Sequence, residues 1–223
     1  INAEADLVVR AAGALQQHTG TALGARIRLH KHIPAGGGLG GGSSDAATTL
    51  VALNHLWGCK LDNAELLKLG RQLGADVPVF IQGQAAWAEG IGDELTPMDV
   101  DRPWLLLVNP GVEVATGAIF CDAKLTHTGA HITIRAFEDG AVRNDCEQVV
   151  ARLYPQIGKS LAQLAALGPA RLTGTGGCMF ARFASQSAAR QALAQWQGKG
   201  HPWVCQALNH SPLLNRLEVE EHR

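Results

Sequence analysis

The sequence predicts an α+β fold. Stretches with apolar residues at helical spacing are mixed with stretches of period-two or continuous apolar character, without strict strand-helix-strand alternation. A glycine-rich loop stands between a strand pattern and a helix pattern, and an Asp- and Pro-containing stretch near residue 100 divides the chain. At 223 residues and 46% hydrophobic content, the chain can bury a sizeable core in one large domain or two smaller ones.

The elements follow in order. Over 5–17, Leu7, Val8, Ala11, Ala12 and Leu15 recur at helical spacing and Gly20 closes the helix. Over 26–33, Ile27, Leu29 and Ile33 alternate with basic residues, which predicts a half-buried strand ending at Pro34. The glycine loop comes next, and 45–56 reads as a helix. Asp62 and Glu65 have capping-box spacing before Leu66, Leu67 and Leu69, so another helix starts there and ends near Gly74. The runs 77–81 and 85–88 read as short extended segments on either side of Gly83. Gly90, Gly92 and Pro97 mark turns, and 99–103 is the best linker, giving expected domains of 1–100 and 101–223. In the second, 104–108 is a buried-strand run, followed by helices near 147–153 and 160–167, a strand at 179–183, a helix at 187–196 and a strand at 203–208.

Composition narrows the function. A net charge of -1 gives no general reason to expect nucleic acid or an anionic membrane as partner, so any anion site must be built locally. No run approaches a membrane span and the first residues lack signal-peptide order, so a cytoplasmic protein is expected. Cys59, Cys121, Cys146, Cys178 and Cys205 are irregularly spaced and odd in number, which argues for reduced thiols. The nine histidines form no metal-binding spacing, so no protein metal ligand is expected. Trp57, Trp87, Trp104, Trp196 and Trp203 sit in apolar patterns and read as core or packing residues.

Six glycines fall within the seven positions 36–42, each costing about 0.5–1 kcal/mol more backbone entropy than alanine in a regular element. The expectation is that packing does not explain them and that a ligand needs the bare backbone. Converging N–H groups, followed by the positive end of a helix near Ser43, suit a triphosphate. Gly36, Gly38 and Gly41 also fit a dinucleotide fingerprint, but the following helix leads to another helix rather than to a strand ending in an acid. A Walker A loop is excluded because no Gly-Lys-Ser/Thr closes the stretch, and a merely flexible turn rarely joins so clear a strand to so clear a helix.

The run Pro34-Ala35-Gly36-Gly37-Gly38-Leu39-Gly40-Gly41-Gly42-Ser43-Ser44-Asp45-Ala46-Ala47 resembles the second signature of the GHMP kinases. Leu73-Gly74-Ala75-Asp76-Val77-Pro78-Val79-Phe80 resembles the segment that carries that family's catalytic aspartate, and 171–181 resembles its third signature. Finer wording, including Ala88-Glu89-Gly90-Ile91-Gly92-Asp93, Asn109-Pro110-Gly111 and Asn144-Asp145-Cys146-Glu147, is similar to the family's diphosphocytidyl-methylerythritol kinases. The resemblance implies a ribosomal-S5-like nucleotide lobe over 1–100 and a ferredoxin-like substrate lobe over 101–223. It implies ATP and Mg²⁺ as cofactors, with Pro34 through Ser44 (including Ala35, Gly37, Leu39, Gly40 and Gly42) around the phosphates and Ser43 or Ser44 near phosphate or metal. It further implies Asp76 as the group that accepts or orients the hydroxyl proton; local context by itself places Asp76, partly desolvated, at an element boundary, where it also reads as a helix-terminal turn residue. On the substrate side it implies Thr116, Phe120, Gly174, Thr175 and Gly176, although from the residues alone Phe120 equally reads as core and 174–177 as a structural turn. The implied reaction is phosphorylation of the 2-hydroxyl of a cytidine-diphosphate-linked methylerythritol, with no nucleic acid or membrane partner. Another small-alcohol kinase of the family and an inactive nucleotide-binding fragment stay as alternatives.

The family's first signature, a Pro-Ala-Lys-Leu-Asn-like strand, is not found, and the first lysine of the chain is Lys31. The expectation is an N-terminus lacking the family's opening strands and a chain that is a poor kinase as written, whether through a late start or natural shortening.

Overall fold

The computed structural model describes residues 6–34, 36–125, 134 and 143–221. These fall into two compact units, one drawn from 6–32, 40–100 and 208–221, the other from 33–39 and 101–207.

The first unit is a helical cluster with a hairpin. Helix α1 (Leu7–Thr19) starts where the Asp6 carboxylate accepts the Val8 N–H at 2.8 Å and stops where Gly20 turns left-handed at φ 68°. Helix α2 (Gly41–Leu56) follows the glycine loop, with Gly40 as its N-cap. Helix α3 (Asn63–Leu73) carries the expected capping box: Asp62 Oδ1 accepts from Glu65 N at 2.8 Å and Glu65 Oε2 from Asp62 N at 3.0 Å. Leu15, Ala46, Ala47 and Leu50 form the core with Leu69, Val77 and Ile81.

The expected extended segment at 77–81 is instead helix α4 (Val77–Gln82), with Pro78 in its first turn. Proline is pre-organised for that position, and Val77 and Ile81, four residues apart, both face the core. A Cβ on Gly70 would lie 2.6 Å from Ile81 Cδ1, so the bare glycine is what lets α4 lie close on α3.

Strands β1 (Ala86–Glu89) and β2 (Glu94–Pro97) pair as an antiparallel hairpin, with Ala86 opposite Pro97 and Glu89 opposite Glu94. The expected strand at 26–33 is absent; these residues are exposed and unpaired by any strand among the described residues, with Ile27 43% and Ile33 47% accessible. Alternation marks a segment able to pair, but a strand forms only against a partner.

The second unit is built on a four-stranded antiparallel sheet in the order β4 (Ala170–Leu172), β5 (Met179–Phe183), β3 (Trp104–Asn109), β6 (His201–Gln206). Leu106 pairs with Ala181 on one side and Val204 on the other. Between β3 and β4 lie α5 (Thr116–Phe120), α6 (Cys146–Leu153) and α7 (Pro155–Ala165); α8 (Gln186–Gln195) joins β5 to β6. Helix α7 packs on β4 and β5, and α8 on β3, β5 and β6. Leu106, Val108, Val150, Ile157, Leu164 and Met179 fill the core.

The last helix, α9 (Pro212–Glu221), belongs to the first unit, where Leu213 and Leu217 join the core and Leu214 covers Gly83. No helix among the described residues is long and apolar enough to cross a membrane.

Candidate active site

The glycine stretch is divided between the two units after Leu39. Its first part packs in the second unit against the turn between β4 and β5. The Gly37 carbonyl accepts the Cys178 N–H at 3.1 Å and lies 2.9 Å from the Thr173 hydroxyl, which is also 3.0 Å from the Cys178 carbonyl and donates to one of them at a time. The turn closes on itself through Thr173 N to Cys178 O at 2.9 Å and Gly176 N to Thr173 O at 3.0 Å. A Cβ on Gly38 would sit 2.5 Å from the Thr173 carbonyl, and one on Gly176 would sit 2.2 Å from the Gly38 nitrogen. Backbone therefore lies on backbone here.

This corrects the expectation that packing does not explain the glycines. Gly37, whose Cβ would meet Cys178 Sγ at 2.6 Å, and Gly38 are required by close approach. Gly36, Gly38 and Gly40 also take positive φ of 69°, 70° and 66°, where a side chain is strained. Cys178 is buried, and desolvation pushes its thiol up to about 11, so it is a neutral packing group.

The second part of the stretch belongs to the first unit. A Cβ on Gly40 would fall 2.8 Å from Phe80 Cζ, so the start of α2 is packed against α4. Gly41, Gly42 and Ser43 open α2, and Ser44 N–H donates back to Gly40 O at 2.8 Å, the first closed turn. The N–H groups ahead of it carry the positive end of a 16-residue helix. Gly42 is not forced by packing: its Cβ would make an ordinary 3.5 Å contact with Leu7 Cδ1. Lys31 Nζ reaches Asp45 Oδ2 at 2.6 Å on the first turns of α2. Pro34 and Leu39 are half-buried, and Ala35 lies outside the described residues.

Asp76 immediately precedes α4, one turn ahead of the Phe80 ring that packs on Gly40. Its side chain makes no capping hydrogen bond. It is exposed, against the expectation of partial desolvation, because the apolar residues beside it turn inward as a helix face and leave the N-cap outside.

Thr116 and Phe120 stand at the two ends of α5, four residues apart and on one face. Phe120 is 54% exposed while the neighbouring Ile119 is fully buried and anchors the helix. The Thr175 hydroxyl donates to the Thr116 hydroxyl at 3.0 Å, so these two residues, expected from sequence on the substrate side, meet although 59 positions separate them. Gly174 turns left-handed at φ 48° beside them. Thr173, Asn144 and Tyr154 also bond to this region; Thr173 lies inside the 171–181 signature and Asn144 inside the 144–147 wording, while Tyr154 carries no such signal.

The family model for the GHMP kinases N terminal domain matches 6–84, and that for the GHMP kinases C terminal matches 123–201. A relative from Alkalilimnicola ehrlichii named 4-diphosphocytidyl-2-C-methyl-D-erythritol kinase is 51% identical over 220 residues, 97% of this chain and 74% of its own length. One of the same name from Nitrosococcus oceani is 50% identical over 96% of this chain and 77% of its own length. A crystal structure of 4-(cytidine 5'-diphospho)-2C-methyl-D-erythritol kinase superposes with a TM-score of 0.79 at 32% identity, covering 91% of this chain and 78% of that one. A homoserine kinase from Cytophaga hutchinsonii, 19% identical with a TM-score of 0.69, shares the fold over 94% of this chain and 78% of its own. The chain belongs to the GHMP kinase family, alongside members that bear the name 4-diphosphocytidyl-2-C-methyl-D-erythritol kinase.

Proposed function

We propose that this chain is an ATP-dependent kinase that phosphorylates the 2-hydroxyl of 4-diphosphocytidyl-2-C-methyl-D-erythritol, a step of the non-mevalonate isoprenoid pathway. The observation that carries this reading is about 50% identity to relatives of that name over 96–97% of the chain. The nucleotide lobe is taken as 1–100 and the substrate lobe as 101–223, in the cytoplasm, except that 33–39 pack in the compact unit of 101–207 and 208–221 in that of 40–100.

Phosphoryl transfer asks the protein for positioning, neutralisation of phosphate oxygens and a group that takes or orients the hydroxyl proton. For the phosphates we assign 34–44. The N–H groups at the start of α2, which have no intrahelical carbonyl partner, and the bare backbone at Gly42 support that role. Mg²⁺ would ride on the triphosphate with a Ser43 or Ser44 hydroxyl beside it. Magnesium keeps most of its waters and needs few protein ligands. Asp76 is assigned as proton acceptor; a carboxylate free of capping duty is available for it. Thr116, Phe120, Gly174, Thr175 and Gly176 are assigned to the acceptor substrate, with the exposed Phe120 ring offering a stacking face for cytosine.

The test is incubation with Mg·ATP and the cytidyl alcohol, with the product followed by ³¹P NMR. A new phosphomonoester on the 2-hydroxyl, absent with mevalonate or homoserine as acceptor, is expected. Transfer to mevalonate or homoserine in its place would defeat the substrate assignment.

A further inference from the structure

Helix α5 has five residues and no side-chain cap, too little to fix its own direction, since an isolated turn is unfavourable in water. Its start is held from outside: the Ala115 N–H, one residue ahead of Thr116, donates to the Tyr154 hydroxyl at 3.2 Å. Its end is held too. Asp122, whose N–H donates to Ile119 O at 3.2 Å, accepts from Arg152 Nη2 at 2.5 Å and from Lys124 N at 2.9 Å. The Arg152 hydrogen bond, with the Lys124 N–H behind it, lowers the Asp122 carboxyl below its ordinary range. Arg152 lies in the last turn of α6 and Tyr154 follows it.

The other end of α6 holds the glycine turn. Asn144 Nδ2 donates to Gly174 O at 2.7 Å and to Leu172 O at 3.2 Å, while its Oδ1 accepts from Cys146 N at 2.9 Å. In the first turn, the Glu147 carboxylate accepts the Leu172 N–H at 3.0 Å. Four side chains on one eight-residue helix and its flanks thus grip both segments that carry the substrate-side residues.

We infer that α6 is the positioning element of the acceptor side: Asn144 and Glu147 set the 172–176 turn, Arg152 and Tyr154 set α5, and their common result is the meeting of the Thr175 and Thr116 hydroxyls. None of the four is assigned to touch substrate. They act by holding the two segments in one register, and a looser hold lowers the fraction of the free protein that is competent to bind the acceptor, which weakens its binding. The inference rests on the reading that Thr116 and Thr175 serve the acceptor.

The experiment compares wild type with Tyr154→Phe, Arg152→Asp and the reciprocal pair Arg152→Asp with Asp122→Arg, measuring KM for acceptor and for ATP, together with hydrogen exchange at 115–121. Tyr154→Phe and Arg152→Asp should each speed exchange at 115–121 and raise acceptor KM on the order of tenfold, with ATP KM within about twofold of wild type. The reciprocal pair should recover most of the loss of Arg152→Asp. Faster exchange with unchanged acceptor KM, an equal rise in both KM values, or no recovery in the reciprocal pair would overturn the inference. If wild type phosphorylates another alcohol and not the cytidyl one, the substrate reading fails by itself. The same comparison on that alcohol then still decides the positioning role.

Discussion

The two halves of the glycine stretch use the same residue for different ends. At Gly37 and Gly38 the missing Cβ is filled space: a sulfur at 2.6 Å and a carbonyl at 2.5 Å stand where it would be. At Gly42 the space is open apart from an ordinary contact to Leu7, and the neighbouring N–H groups at the start of α2 have no helical partner. Glycine in the first half allows close approach of sulfur and backbone, and at Gly42 in the second half it leaves the backbone uncovered, as the proposed phosphate role requires. Gly40, between them, combines a positive φ with close approach to Phe80.

Substitutions break this comparison where it is most rigid first. Gly176→Ala puts a methyl 2.2 Å from the Gly38 nitrogen, and neither backbone can yield cheaply. Denaturant unfolding should show a loss of about 3 kcal/mol or more, the range of overpacked or strained sites. Gly40→Val combines strain at φ 66° with a clash on Phe80, so ATP affinity by calorimetry should fall and stability should drop by roughly 1–3 kcal/mol. Unchanged nucleotide affinity there would separate Gly40 from the phosphate site. Thr173→Val removes the hydroxyl that donates to the Gly37 or the Cys178 carbonyl and leaves the Cys178 N–H on Gly37 in place, so chemical denaturation should report a loss of about 1 kcal/mol.

Gly42→Ala sharpens the contrast most. The methyl fits, and alanine favours a helix by up to about 1 kcal/mol over glycine, so stability should hold or rise slightly in a thermal melt. ATP affinity should nonetheless fall. A loss of stability comparable to that of Gly176→Ala would mean that both halves are packing glycines and that no free backbone is reserved.

Much of this was legible in the sequence, and the failures have physical causes. The capping box at Asp62 and Glu65, the Gly20 stop and the apolar run 104–108 were read correctly because each signal is local. The run 77–81 points to a strand because Val, Val and Ile carry its β-branched signature, while Pro78 is the competing helix-start signal that the core favours. The segment 26–33 has strand alternation but no strand beside it among the described residues, and pairing is not written in one segment alone. Helix α9 was missed because Leu213, Leu214 and Leu217 are too few to stand out without the core they pack on.

At the site, signature wording singled out Asp76, the glycine stretch and Gly174 to Gly176, and only geometry could show how some of them are held. The Thr175–Thr116 hydrogen bond spans 59 positions, and the Gly38–Gly176 approach spans the two glycine-rich signatures. Neither leaves a periodic or local trace. The glycine density itself was visible, but its division into packed and open positions was not.

The most direct test of the proposed chemistry is single-turnover phosphoryl transfer by Asp76→Asn, which keeps the shape of an exposed N-cap residue and removes its charge and proton acceptance. The expected result is a chemical rate lower by about 10²-fold or more, with ATP affinity and thermal midpoint unchanged. A fall of less than about tenfold, roughly 1.4 kcal/mol, would contradict Asp76 as the group that takes the hydroxyl proton.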